Sequence, residues 1–271
     1  MTDRYRFELA VIGGGVMGGA FVEGLLQAAA IPAESVLIVE PVTARREELR
    51  TTLNVRVSAH PDDSLRDARF ILVAVKPQQF DAVASALRPV LRPQQTVLSL
   101  MAGVPLELVS QQLGHSTVVR LMPNIMCRIG AGVIVWLASG TVSEEETQRI
   151  ETLFQALGSS IRVYEDRYVD MATAVSGSGP AFAFVVLEAL TDAAVHIGFA
   201  RDQAAMLATQ TLLGAALLAK ETGVHPAILK NTVTSPGGTT AAGLLVLEQR
   251  GLRAALEEAV FAAYTKTQRL R

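Results

Sequence analysis

The stretch ELAVIGGGVMGG, residues 8–19, constrains the fold more than any other. An aliphatic run suited to a strand enters three glycines and then residues suited to a helix. Gly13, Gly15 and Gly18 meet the G-x-G-x-x-G pattern in the strand–turn–helix setting that gives it meaning. Gly13 permits the tight turn, Gly15 lets the backbone approach a diphosphate, and Gly18 lets helix and strand pack closely. Val16 and Met17 open the helix, so its positive end meets the phosphates. The signature alone is weak; the repeating pattern of the downstream chain gives it weight.

Short apolar runs alternate with helical stretches through roughly the first 160 residues. Strands are predicted near Glu8–Gly13, Val36–Val39, Phe70–Val75, Val97–Ser99, Val118–Arg120, Gly132–Trp136 and Ile161–Val163. Helices are predicted near Val16–Ala29, Ala44–Leu53, Pro77–Leu87, Pro105–Leu113 and Ser143–Leu157. This alternation implies an α/β fold with a Rossmann-like, doubly wound parallel sheet covered on both faces. From Tyr168 to Leu270 no strand is evident. Ala- and Leu-rich segments over 168–197, 201–222, 226–232, 238–249 and 252–270 are punctuated by Gly198, Gly223 and Gly251. The expected division is therefore residues 1–164 for dinucleotide binding and 165–271 for an all-α domain.

Several side chains are candidates for the nucleotide. Glu40 ends the second strand, where an acid hydrogen-bonds a ribose 2′-OH and repels a 2′-phosphate. Arg45 and Arg46 follow closely, and Arg is the natural phosphate partner. NADH and NADPH both remain open on these residues. Ala74, Val75 and Lys76, in ILVAVKP, end a strand at the carboxyl edge of the sheet, where ligands collect. Pro123 and Asn124 end another and are expected at the nicotinamide ribose.

Composition narrows the partners. The net charge is −2, which supplies no basic face for nucleic acid. The single cysteine, Cys127, excludes an internal disulfide and fits a reducing, cytoplasmic setting. No secretory pattern precedes the first strand. The longest uncharged segments, 171–187 and 203–219, fall short of the ~20 apolar residues of a membrane span. Helices this apolar all round need neighbours on several sides, so a subunit interface is expected and a membrane is not. His60, His115, His196 and His225 have no metal-ligand spacing, so no metal is expected.

Near the C-terminus, residues 233–248 read VTSPGGTTAAGLLVLE. Pro and two glycines mark a tight turn, and bare amides at a helix start form an anion site. This stretch, with VLSLMAGV (97–104), VVRLMPN (118–124), AVSGSGPAFAF (174–184) and HPAILKNT (225–232), closely resembles the pyrroline-5-carboxylate reductase family. The likeness runs in order over residues 7–269. It implies NAD(P)H-dependent reduction of the cyclic imine 1-pyrroline-5-carboxylate to L-proline. It further implies a helical domain interleaved with a partner subunit, in a dimer or a decamer of five dimers. The SPGGTT loop then corresponds to the family's carboxylate cradle, with Ser235, Gly237, Gly238 and Thr239 as donors. In the family pattern the second Thr lies near the imine nitrogen, which makes Thr240 the catalytic candidate.

Two stretches depart from the family. Asn124 is followed by Ile125-Met126 where Thr-Pro is usual, and Pro61-Asp62-Asp63 replaces a stretch that often holds Asn. Alternative readings are a reductase of a related imine or of a 3-hydroxy acid, or a nucleotide sensor without turnover. A 3-hydroxy-acid enzyme wants a lysine on the long helix 179–197, which offers Glu188, Asp192 and His196 instead. A sensor has no use for a carboxylate cradle.

Overall fold

The computed structural model describes residues 5–269. Two compact units divide the chain: Met1–Gly177 together with Ala263–Arg271, and Ser178–Ala262.

The first unit is built on one eight-stranded sheet. Its strands are β1 (Phe7–Ile12), β2 (Val36–Val39), β3 (Arg56–Ser58), β4 (Ala68–Val73), β5 (Thr96–Ser99), β6 (Val118–Met122), β7 (Gly132–Ala138) and β8 (Gly158–Arg162). They lie in the order β3-β2-β1-β4-β5-β6-β7-β8. From β3 to β6 every pairing is parallel, so the winding reverses between β1 and β4. Helices α1 (Val16–Gln27), α2 (Thr43–Leu53), α3 (Phe80–Leu87), α4 (Leu106–Leu113) and α5 (Glu144–Ala156) complete the layers. Side-chain alternation along β1 separates the two faces. Leu9 and Val11 share a core with Phe21 of α1 and Phe154 of α5. Ala10 and Ile12 share the other with Phe80 of α3 and Val109 of α4. Phe154 meets Phe21 and Trp136 edge-on, with ring centroids 6.2 Å and 5.6 Å apart. Burial on both faces is why these strands read as continuous apolar runs.

Three features differ from the sequence expectation. β3 has no counterpart among the expected strands: it has three residues, none fully buried, and no apolar run announces it. β7 pairs antiparallel with β6, against the expected all-parallel sheet. Only residues 123–131 join these two strands, whereas a parallel crossover needs a dozen or more. β8 begins at Gly158, ahead of the expected Ile161, because Gly158 takes φ +137° and abuts the Gly132 backbone. A Cβ on Gly158 would run into the Gly132 carbonyl oxygen.

α6 (Asp166–Ala172) and the π-helical turn Thr173–Gly177 belong to the sheet unit. Arg120 of β6 is fully buried, with Nη1 2.6 Å from Asp166 Oδ1 and Nη2 2.5 Å from Asp170 Oδ1. Burying an ion costs several kcal/mol unless it is paired and hydrogen-bonded. The two carboxylates therefore tie α6 to the sheet. With α6 so held, the compact units divide after Gly177.

The second unit is helical: α7 (Gly179–His196), α8 (Arg201–Thr222), α9 (Pro226–Thr232) and α10 (Thr239–Gln249), with α11 (Leu252–Gln268) running on into the residues grouped with the sheet. α7 and α8 pack on each other. Most of the unit's apolar side chains nevertheless face outward. Phe184, Met206, Leu217, Leu245 and Phe261 are all exposed, Phe261 to 71 %. The helical run Asp166–His196 is long and apolar enough to cross a membrane by length and composition.

Candidate active site

The carboxyl ends of β1 and β4 meet at the point where the winding reverses. The Ala74 amide donates to the Ile12 carbonyl at 2.8 Å, and the Gly13 amide to the Val39 carbonyl at 2.9 Å. Gly13 has φ +101°, and a Cβ there would lie 2.8 Å from the Ala74 carbonyl oxygen. A Cβ on Gly18 would run into the Gly13 carbonyl. Gly15 is different: its φ is −64°, and nothing lies within 4 Å of where a Cβ would stand. The space over Gly15 is open, and no side chain caps α1. A helix start leaves four amides without intrahelical partners. Val16 and Met17 stand at that uncapped start, beneath the open space. These features fit a diphosphate.

Small-molecule and cofactor clefts run to roughly 300–1,000 Å³; the one beside this turn measures about 650 Å³. Gly13, Gly15, Glu40, Ala74, Val75 and Lys76 all line it, as the sequence pattern implies. Residues outside that pattern also line it: Pro41 and Val42 beyond β2, and His60 and Pro61 beyond β3. The Pro61 departure is visible in the sequence, but the place of this loop depends on β3. Asp62 shapes the loop by accepting from the Ser64 amide at 2.9 Å. The Ser64 hydroxyl, first among several hydrogen bonds, holds the Asp62 carboxyl below its usual range.

Glu40 is 7 % exposed. Its Oε2 accepts from the Gly14 amide at 3.0 Å and its Oε1 from the Val42 amide at 2.9 Å. Arg45 directs Nε to the Gly14 carbonyl at 2.8 Å and Nη1 to Glu48 at 2.8 Å. It lines a separate hollow over Gly15 and Val16, of about 400 Å³, with Ile125 and Arg128. Arg46 donates to the carbonyls of Glu40 at 2.8 Å and Pro41 at 3.1 Å. Pro123 and Asn124 follow β6 and are buried, and Asn124 Oδ1 accepts from the Val133 amide at 3.4 Å.

In the helical unit, the 235–238 turn leads into α10. Gly237 takes φ +69°, and the Gly238 amide donates to the Ser235 carbonyl at 3.1 Å. A Cβ on Gly238 would run into Ser235 Oγ. No side chain caps α10 and no acid stands in its first turn, so its amides and positive end are free for an anion. Ser235 and Thr239 are exposed and Thr240 is half-buried.

A doubly wound sheet open at its switch point, continued by an all-helical unit, defines a two-domain, dinucleotide-dependent oxidoreductase. Residues 166–270 match the family described as pyrroline-5-carboxylate reductase dimerisation, and residues 8–103 the one described as NADP oxidoreductase, coenzyme F420-dependent. The pyrroline-5-carboxylate reductase of Synechocystis is 40% identical over 268 residues, spanning 97% of this chain and 98% of that one. That of Pisum sativum is 35% identical, over 100% of this chain and 97% of its own. Among solved structures, the Plasmodium falciparum pyrroline carboxylate reductase with NADP bound superposes with a TM-score of 0.89 at 27% identity, covering 97% of this chain and 98% of that one. The Coxiella burnetii pyrroline-5-carboxylate reductase gives 0.85 at 32%, covering 98% of each. The chain belongs to the pyrroline-5-carboxylate reductase family.

Proposed function

We infer that the chain reduces 1-pyrroline-5-carboxylate to L-proline with NADH or NADPH, the closing step of proline synthesis. The observation that carries this is the near full-length correspondence with reductases of that name. The open Gly15 turn agrees with it, since an intact dinucleotide seat is what such an enzyme requires.

The nicotinamide, when bound, supplies a hydride to the imine carbon. The chain's part is to hold the imine and manage its proton. The uncapped start of α10 and the amides of Gly237, Gly238 and Thr239, with the Ser235 hydroxyl, receive the substrate carboxylate. A neutral cradle of this kind orients the ring without placing a cation beside an imine that must itself be protonated. Thr240 donates a hydrogen bond to the imine nitrogen or relays a proton from water. Pro123 and Asn124 support the nicotinamide ribose. Keeping donor and acceptor carbons within ~3–3.5 Å accounts for much of the rate enhancement.

The outward apolar surface of α7–α11 suits a homo-oligomer, a dimer or five dimers in a decamer. Interleaving with a partner also accounts for the apolar run Asp166–His196 without a membrane, because the Ser-Gly-Ser-Gly break at 176–179 and Glu188 and Asp192 suit a protein interface better than lipid. A reducing cytoplasm agrees with the lone, buried Cys127. No nucleic-acid partner is expected.

Purified protein mixed with pyrroline-5-carboxylate and each reduced cofactor is the deciding assay. Loss of nicotinamide absorbance with proline formation is expected; no oxidation with either cofactor overturns the reading.

A further inference from the structure

We propose that Glu40 makes the ribose end of the cleft selective for a dinucleotide without a 2′-phosphate, so that NADH is preferred to NADPH. The proposal rests on the dinucleotide reading of the cleft and deepens it.

The carboxylate is fixed. The Gly14 amide holds one oxygen at 3.0 Å and the Val42 amide the other at 2.9 Å. Swinging away from an incoming anion would leave two backbone amides without their acceptor, in a place where Glu40 is 7 % exposed. Each carboxylate oxygen has a second lone pair. One of these can accept a ribose hydroxyl while the amide bonds persist. A phosphate at the same point has no proton to give and sets like charge against like, which is unfavourable at close range.

The arginines that would offset this repulsion are engaged elsewhere. Arg46 spends its guanidinium on the Glu40 and Pro41 carbonyls and on Thr43 Oγ1. Arg45 spends its own on the Gly14 carbonyl and Glu48. Neither lines the cleft. The basic side chains that do are Lys76, beyond β4, and the His60 imidazole, beyond β3. Among the described residues no cation pairs with the Glu40 carboxylate within 4.0 Å. The cleft therefore presents a carboxylate held by two amides but met by no described cation within 4.0 Å, at the strand end where an acid meets the ribose.

The test is calorimetric titration of the full-length protein with NADH, NADPH, ADP-ribose and 2′-phospho-ADP-ribose, with no imine present. The wild type is expected to bind each unphosphorylated ligand at least tenfold tighter than its 2′-phosphorylated counterpart. Glu40→Gln and Glu40→Ser should bring that ratio below threefold, chiefly by tightening the phosphorylated ligands. A wild-type preference under tenfold overturns the proposal. So does an unchanged ratio in both variants, with all ligands weakened alike, which would make Glu40 only a clamp on the glycine turn. Because no turnover is read, binding without imine reduction would contradict the proposed function alone. Equal affinity for NADH and NADPH would contradict this proposal alone.

Discussion

Gly15 and Gly18 lack a side chain for opposite reasons, and the difference is measurable. At Gly18 a Cβ meets the Gly13 carbonyl, so Gly18→Ala must shift the backbone of the turn. Overpacking of this sort costs about 1–3 kcal/mol, and a lowered midpoint in urea should report it. At Gly15 a Cβ meets nothing within 4 Å and φ is ordinary at −64°. Gly15→Ala should leave stability within about 0.5 kcal/mol and weaken NADH binding at least tenfold in a titration, because the added methyl stands in the phosphate space. Thr240→Ala, in the same spirit, should lower kcat while the dissociation constant of NADH stays within error. Equal losses in both would reduce Thr240 to a loop-shaping role. Cys127 gives a simpler test. Burial raises its thiol above the usual range, so the folded state keeps the proton that the unfolded chain releases more easily. Stability from this source is present below the ordinary thiol pKa and falls as pH rises above it. Alkylation near pH 8 should be negligible in the native protein and complete in denaturant. Most individual site residues can be read from the chain because their chemistry is local: a glycine turn, an acid at a strand end, a Pro-Gly-Gly loop. Half of what Glu40 bonds to cannot be read: the Val42 amide is a neighbour two residues on, but the Gly14 amide reaches it only through the packing of β1 against β2.

Among the elements, α6 is where sequence and structure part most instructively. Residues 168–197 form one Ala- and Leu-rich segment in the sequence, yet α6, a π-helical turn and α7 share that stretch, and the compact units divide within it. The cause is Arg120, whose charge has to be met once β6 is central in the sheet. Asp166 and Asp170, one helical turn apart, meet it from the same face of α6. Removing one partner of a buried pair costs about 3–5 kcal/mol. Asp170→Ala should therefore lower the denaturant midpoint sharply. Arg120→Met, which removes the buried cation, should be milder when combined with Asp170→Leu than the single Asp170→Ala. The alternation of β1, β2, β4 and β5 is legible because both faces are buried and the apolar runs are unbroken. β3 is not, since one exposed and two half-buried residues take their extended form from pairing with β2, a contact no local pattern encodes. The direction of β7 is legible in principle from the short connection after β6, where the loop 123–131 leaves no room for a crossover.

At the level of the whole molecule the helical unit presents apolar side chains that a single chain leaves in water. A surface of this kind calls for a partner, and it falls within the family's dimerisation region. Light scattering should give at least twice the 28.9 kDa chain mass. A double change on α8, Leu213→Glu with Leu217→Glu, should shift the protein toward monomer and abolish reductase activity, while NADH binding to the sheet unit persists. Retained assembly in that variant would place the interface on other helices. The layer architecture, the glycine turn and the carboxylate loop are already written in the order of residues, because each follows from periodicity or from backbone freedom among a few neighbours. That Glu40 is locked between two amides, that both arginines turn from the cleft, and that α6 belongs with the sheet emerge only once the chain is folded. Those outcomes turn on the distant groups among the partners, Gly14 for Glu40 and for Arg45, and Arg120 for the two aspartates of α6, and burial makes an unmet charge too costly for the fold to leave unanswered.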